Sequence, residues 1–189
     1  MFTIPAVPEA HYRVQVQVVG GGNRGGRGRG ANPDAADTTA PPAGPPVKNN
    51  AYVADILLGV ASIYDKGLDI GLNTPAQLEI ILKTDPGSVT GILVAANQTP
   101  VQGTLVVLVP APQHRQNMAL YKIGGTNATG RFTINGVAPG DYKLFAWESA
   151  PNGAYQNADF IKKYETRGVP ITVLPNAPTE AQVPLIPKN

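Results

Sequence analysis

The chain has 189 residues, a formal net charge of +2, 42% apolar residues and 15% charged residues. So small a charge implies no nucleic-acid or membrane-surface partner, and the absence of cysteine excludes disulfide staples, thiolate zinc sites and a cysteine nucleophile. No apolar run approaches the roughly 20 residues that span a bilayer, so no membrane insertion is expected. The length suits one large domain or two small sandwiches of roughly 80–100 residues each. Gly (21) and Pro (19) punctuate the chain as they do in proteins of many short strands.

Residues 1–5 carry neither a basic stretch nor an apolar core, so no signal peptide is expected there. Residues 11–19 read as the first strand, because Tyr12, Val14, Val16 and Val18 alternate with Arg13, Gln15 and Gln17. Residues 20–46 are Gly-, Arg- and Pro-rich with no large apolar side chain. They cannot offset their ordering entropy by burial and are expected to form a disordered insertion. Strands are predicted over 52–57, 61–64, 68–72 and 77–83, with turns at Asp65-Lys66-Gly67 and Asp85-Pro86-Gly87. That is four or five strands, fewer than the ~7 of a complete sandwich. A partial β-sandwich over 1–86 is therefore expected.

The second half is more regular. Strands are predicted over 88–95, 103–109, 120–124, 131–135, 141–148, 169–174 and 180–186, separated by Asn-, Gly- and Pro-containing turns. Such spacing indicates a second sandwich, over 87–189. One short helix interrupts it at 157–166, with Asn157 as its cap and Gly168 beyond its end. Its buried side would be Phe160, Ile161 and Tyr164. The fold class is thus all-β, two tandem immunoglobulin-like or prealbumin-like units with the first incomplete.

The run from Gly130 through Phe132, Ile134, Gly136, Pro139 and Gly140 to Tyr142 resembles the signature of carboxypeptidase regulatory-like domains. There a "GxF" strand leads through a "GVxPGxY" turn into the next strand. Upstream, Ser88-Val89-Thr90-Gly91-Ile92-Leu93-Val94 and the Thr99–Val109 stretch resemble the same family's first strand and hairpin, so the resemblance covers 88–187. It implies a carbohydrate-binding-like, prealbumin-like sandwich of exported bacterial proteins, with a secreted, periplasmic or cell-surface location. It also implies partners among the other domains of a longer protein, of which this chain would be the C-terminal piece. Asn127 stands where that family often has Asp, which supports the same turn but not a carboxylate metal site.

The resemblance implies no enzyme. A zinc carboxypeptidase needs two His, one carboxylate and a Glu base. The two histidines, His11 and His114, stand in no ligand spacing, and no metal or cofactor is expected. Ser62, Ser88 and Ser149 lie in no G-x-S-x-G elbow. Gly26–Ala31 matches G-x-G-x-x-A, but the prolines that follow preclude the helix whose N-terminus a dinucleotide needs. The arginines of that segment have no interleaved aromatic and read as a solvated loop rather than a nucleic-acid tract. Asn97 and Asn127 open N-x-T sequons that read as ordinary turns.

The leading reading is a non-catalytic structural or interaction module. One alternative is a carbohydrate-binding module in which Trp147, Tyr155 and Tyr164 stack on a glycan. In strand 141–148, Trp147 points to the side opposite Ala146, toward the helix, and burial under that helix would remove the glycan reading's best residue. Another alternative is self-assembly through an unpaired strand edge in the incomplete first unit.

Overall fold

The computed structural model describes residues 7–16, 50–71 and 77–188. The expected insertion at 20–46 lies outside the described residues, as do the end of the 11–19 strand and Leu72. In chain order the first half contributes β1 (Ala10–Tyr12), β2 (Tyr52–Leu58), β3 (Ala61–Ser62), β4 (Leu68–Ile70) and β5 (Leu78–Lys83). The second contributes β6 (Gly87–Val94), β7 (Leu105–Pro110), β8 (Lys122–Gly125), β9 (Arg131–Val137) and β10 (Gly140–Ala146). The helix α1 (Ala158–Tyr164) and strands β11 (Val169–Val173) and β12 (Pro178–Pro184) complete it.

Two sheets of the second half, ordered β12-β6-β9 and β11-β10-β7-β8, face each other across one core. Val89 and Leu93 of β6, Phe132 and Ile134 of β9 and Val183 of β12 meet Val106 and Leu108 of β7 and Tyr142 and Leu144 of β10. This is the all-β sandwich that the strand spacing predicts. Fully burying each Val, Leu or Phe contributes roughly 1.5–3 kcal/mol, so these positions define the register. The prolines of β11 and β12 (Pro170, Pro178 and Pro184) sit on the outer strands of their sheets, where a missing N–H is tolerated.

β6 and β12 run parallel, from Ser88 opposite Pro178 to Val94 opposite Pro184, whereas every other named ladder is antiparallel. The parallel pair approaches closely at Gly91, where a Cβ would lie 1.9 Å from the Ala181 carbonyl oxygen and 2.9 Å from the Phe132 ring. β9 runs two residues past its predicted end. It alternates at Phe132 and Ile134, then places Val137 inward after an offset of three, because its register against β6 shifts between Gly87 and Val89. Gly136, at φ +67°, supplies the left-handed residue of that bulge.

Three first-half expectations change. The 11–19 strand is paired only at Ala10–Tyr12, with Leu68–Ile70. Beyond Leu68 the partner chain has already turned, so residues 13–16 have no ladder; a Cβ at Gly67 would lie 2.5 Å from the Tyr12 carbonyl oxygen. Their alternation survives in burial alone, with Val14 and Val16 half-buried and Arg13 and Gln15 exposed. The 61–64 strand shortens to β3, because the turn starts at Tyr64. The turn expected at Asp85-Pro86-Gly87 is an extended crossing between sheets, and Gly87 already pairs with Val137. In the second half, β8 starts at Lys122 rather than Leu120, because 118–120 form a 3-10 turn capped by Asn117 Oδ1, which accepts from Ala119 N at 3.2 Å.

The close approach at Gly91 gives a direct test. Gly91→Ala forces the Ala181 backbone or the Phe132 ring to shift, and we expect a loss of about 3 kcal/mol. It would be read as a lower urea midpoint at unchanged slope.

Candidate functional site

The outer face of the β11-β10-β7-β8 sheet is covered by α1 and the turns around it. Because β10 alternates, Tyr142, Leu144 and Ala146 enter the sandwich core while Phe145 and Trp147 point to the opposite face. There they join Val107 and Val109 of β7, Ile161 of α1 and Ile186 in a second core. Asn157 caps α1 as predicted, its Oδ1 accepting from Asp159 N at 2.9 Å and Phe160 N at 3.1 Å. The cap fixes the helix start, so that Phe160, Ile161 and Tyr164 face the sheet.

The three aromatics of the glycan alternative pack as follows. Trp147 is 8% exposed. Its ring lies parallel to Phe145 at 5.3 Å and is flanked by Phe160 at 5.4 Å and by the edge of Tyr164 at 5.8 Å. Tyr164 is half-buried in the same cluster, and Tyr155 is half-buried beside Tyr121 at 6.4 Å. Trp147 thus lies in a packing layer with Phe145, Phe160 and Tyr164 around it. The Trp147 Nε1 is buried without a hydrogen-bond partner among the described residues.

At the C-terminal end of α1, Glu165 joins the helix to the sheet. Lys143 Nζ donates to Glu165 Oε1 at 2.7 Å and to the Glu165 carbonyl at 3.0 Å. Arg115 Nη2 lies 3.0 Å from Oε1 and 2.9 Å from Oε2. Burial alone would push the Glu165 carboxyl up, but the hydrogen bonds and charges of Lys143 and Arg115 prevail and hold it below the usual glutamate range.

The signature residues all serve the fold. Gly130 closes a turn in which Asn127 Oδ1 accepts from Thr129 N, Thr129 Oγ1 and Arg131 N at 2.9–3.0 Å. Phe132 is core, Gly136 is the bulge, and Pro139 leads to Gly140, which opens β10. Tyr142 donates its buried hydroxyl to the Ala138 carbonyl at 2.8 Å, tying the turn to the strand that leaves it, and burial pushes its phenol well above the usual tyrosine value.

A cleft of about 670 Å³ opens where the first half meets the second, between residues 13–16, β2 and the 116–122 stretch. Tyr52, Ile56, Tyr64 and Leu120 are among its lining. Tyr52 donates to Asp85 Oδ1 at 3.0 Å; burial, that hydrogen bond and the Asp85 charge push the phenol up to about 12. A smaller cleft shares Tyr52, Tyr64 and Leu120 and is bordered by Lys83, Asp85, His114 and Asp141.

Side chains bridge the halves beside the cleft. Arg13 donates to the backbone carbonyls of Asp65 (3.3 Å) and Gln116 (3.0 Å) and to Gln116 Oε1. His114 Nδ1 lies 2.8 Å from Asp65 Oδ2, and Asn117 Nδ2 donates to the Tyr64 carbonyl at 3.4 Å. His11 Nδ1 lies 2.7 Å from Asp69 Oδ1. Both histidines therefore sit beside an aspartate of the 65–69 segment. Sequence spacing gives no sign of this, because the partners are 58 and 49 residues apart. Among the described residues no group of three or more His, Cys, Asp or Glu could hold a metal ion, and no helix is long and apolar enough to cross a membrane.

Residues 86–163 match the family described as polysaccharide lyase family 4, domain II, which is less than half of the chain. The matching family thus differs from the carboxypeptidase regulatory-like domain that the motifs resemble; the β-sandwich is what stands. No curated protein matches the chain. Similar solved structures include the Bacillus anthracis TIE protein (10% identity, TM-score 0.35, 57% of this chain and 19% of that one). A candidate carbohydrate binding protein of Pseudomonas aeruginosa is another (13% identity, TM-score 0.33, 53% of this chain and 88% of that one). A third is the group B streptococcus pilus 2b backbone protein (17% identity, TM-score 0.35, 82% of this chain and 52% of that one). The chain thus spans about a fifth of the first and about half of the third.

Two measurements check this geometry. Trp147 is the chain's single tryptophan, so its emission reports the packing layer directly. We expect a blue-shifted spectrum and weak acrylamide quenching; the spectrum of a solvated indole would contradict the packing. For Glu165, a carboxyl lowered by folding contributes stability above its unfolded pKa, and that stability is lost as pH falls through the folded value. Glu165→Gln should therefore lower the unfolding midpoint at neutral pH and converge with the unsubstituted protein in acid below the usual glutamate range.

Proposed function

We propose that this chain is a non-catalytic structural or interaction module of an exported bacterial protein. It comprises an incomplete β-unit before residue 87 and a complete sandwich after it. The observation that carries this reading is the polar bridge between the halves. Arg13, His114 and Asn117 make directional contacts to the 64–65 turn and the 116 backbone, and Tyr64 packs against the sandwich core while donating to the Val53 carbonyl at 2.8 Å. Contacts of this kind fix the angle between consecutive units, whereas units joined only by a linker reorient freely. A module that sets spacing and orientation needs such a joint.

A second reading, a carbohydrate-binding accessory module, draws support from the match of 86–163 to one domain of a polysaccharide lyase family. The aromatic geometry gives it none.

Small-angle scattering combined with light scattering and a glycan array tests the proposal. We expect a monodisperse particle of fixed dimensions with no glycan signal. The Arg13→Ala/His114→Ala double variant should broaden the distance distribution while leaving the main thermal transition of the sandwich in place. Specific array signals would favour the second reading. Depolymerisation of any polysaccharide would overturn the non-catalytic assignment, and concentration-dependent growth of the particle would replace a spacer with a self-assembling subunit.

A further inference from the structure

The cleft between the halves has an unbalanced lining. Among the described residues its charged side chains are Arg13 and Lys122, both cationic, and none is a carboxylate. Arg13 is committed to carbonyl oxygens of Asp65 and Gln116. Lys122, at the start of β8, is half-buried, and among the described residues its ammonium has neither an ion pair nor a hydrogen bond. A cation partly withdrawn from water beside apolar walls and left without a counter-charge gains most from an anion arriving there.

The remaining polar groups point the same way. The Tyr52 and Tyr64 hydroxyls donate their protons to Asp85 and the Val53 carbonyl, so neither has a proton left to give a ligand. Gln116 turns its Oε1 to Arg13, which leaves its amide nitrogen as a further donor. Apolar surface is supplied by the buried Ile56 and Leu120 and by Met118, 43% exposed, an unbranched side chain that adapts to irregular shapes. The volume of about 670 Å³ falls within the roughly 300–1,000 Å³ of small-molecule sites.

We propose that this cleft binds a small amphipathic carboxylate, with its acid group at Lys122 and its apolar body against Ile56, Leu120 and the tyrosine rings. Two cations and no acid among the described lining residues favour an anionic ligand over neutral or cationic ones. The proposal does not rest on the spacer reading, and either can fail alone.

The test uses the full chain, with anilinonaphthalene sulfonate as a fluorescent probe and octanoate as competitor. We expect one saturable probe site from which octanoate displaces the dye and octanol, of equal length, does so at least tenfold less well. Lys122→Gln should weaken octanoate about tenfold, the loss of roughly one charge-assisted hydrogen bond, with an unchanged melting temperature because Lys122 supports no other side chain. Ala119→Trp, which fills the cleft, should abolish displacement, whereas Leu105→Lys on the sheet's other face should not. Equal octanoate affinity in the Lys122→Gln protein, equal potency of octanol, or the absence of a saturable site would each overturn the proposal. None of these results bears on particle dimensions or the glycan array.

Discussion

Strand β10 is buried on both faces, and the arrangement of the second half follows from that constraint. A strand with one wet face needs apolar residues at every second position; β10 has them almost throughout, from Tyr142 to Trp147. Its inward set closes the sandwich, so its outward set, Phe145 and Trp147, must be covered by something else. The helix provides that cover, and Gly168 completes it, because a Cβ there would lie 2.4 Å from the Phe145 ring. The result is three layers, a three-stranded sheet, a four-stranded sheet and a helix, around two cores that share β7 and β10. The Glu165 hub then ties the end of the helix back to the same strand through Lys143.

Much of this layering is legible in the sequence. The inward set of β9 and β10, the Asn157 cap and the Asn127 turn all follow from local chemistry: alternation, capping oxygens and Asx turns need no knowledge of distant residues. The alternation that sends Ala146 inward also directs Trp147 toward the helix, and the structure supplies the rings of Phe145, Phe160 and Tyr164 beside it. Gly136 reads as part of a turn motif and acts as a bulge, because the choice depends on which residue of β6 lies opposite.

The rest depends on partners that no local pattern specifies. The alternation of Tyr12, Val14 and Val16 reads as one strand, but a ladder exists only where a second strand is present, and β4 ends the pairing after three residues. The parallel pairing of β6 with β12 joins segments about ninety residues apart, and parallel and antiparallel strands look alike in sequence. The histidine–aspartate contacts and the Arg13 bridge have the same origin. So does the cleft: nothing local to Lys122 marks it, and only the fold gathers it with Arg13 in a lining whose described residues include no acid.

The parallel pair has a mechanical consequence. Because β6 and β12 run side by side in the same direction, the start of one and the end of the other lie at opposite ends of the sandwich. Tension applied at Gly87 and Pro184 would pull the two strands past each other along their length. The pairing from Ser88–Pro178 to Val94–Pro184 would then be loaded all at once rather than peeled apart bond by bond. A unit wired this way resists stretching far better than its thermal stability alone would suggest, and the close fit at Gly91 sits in the middle of the seam that bears the force.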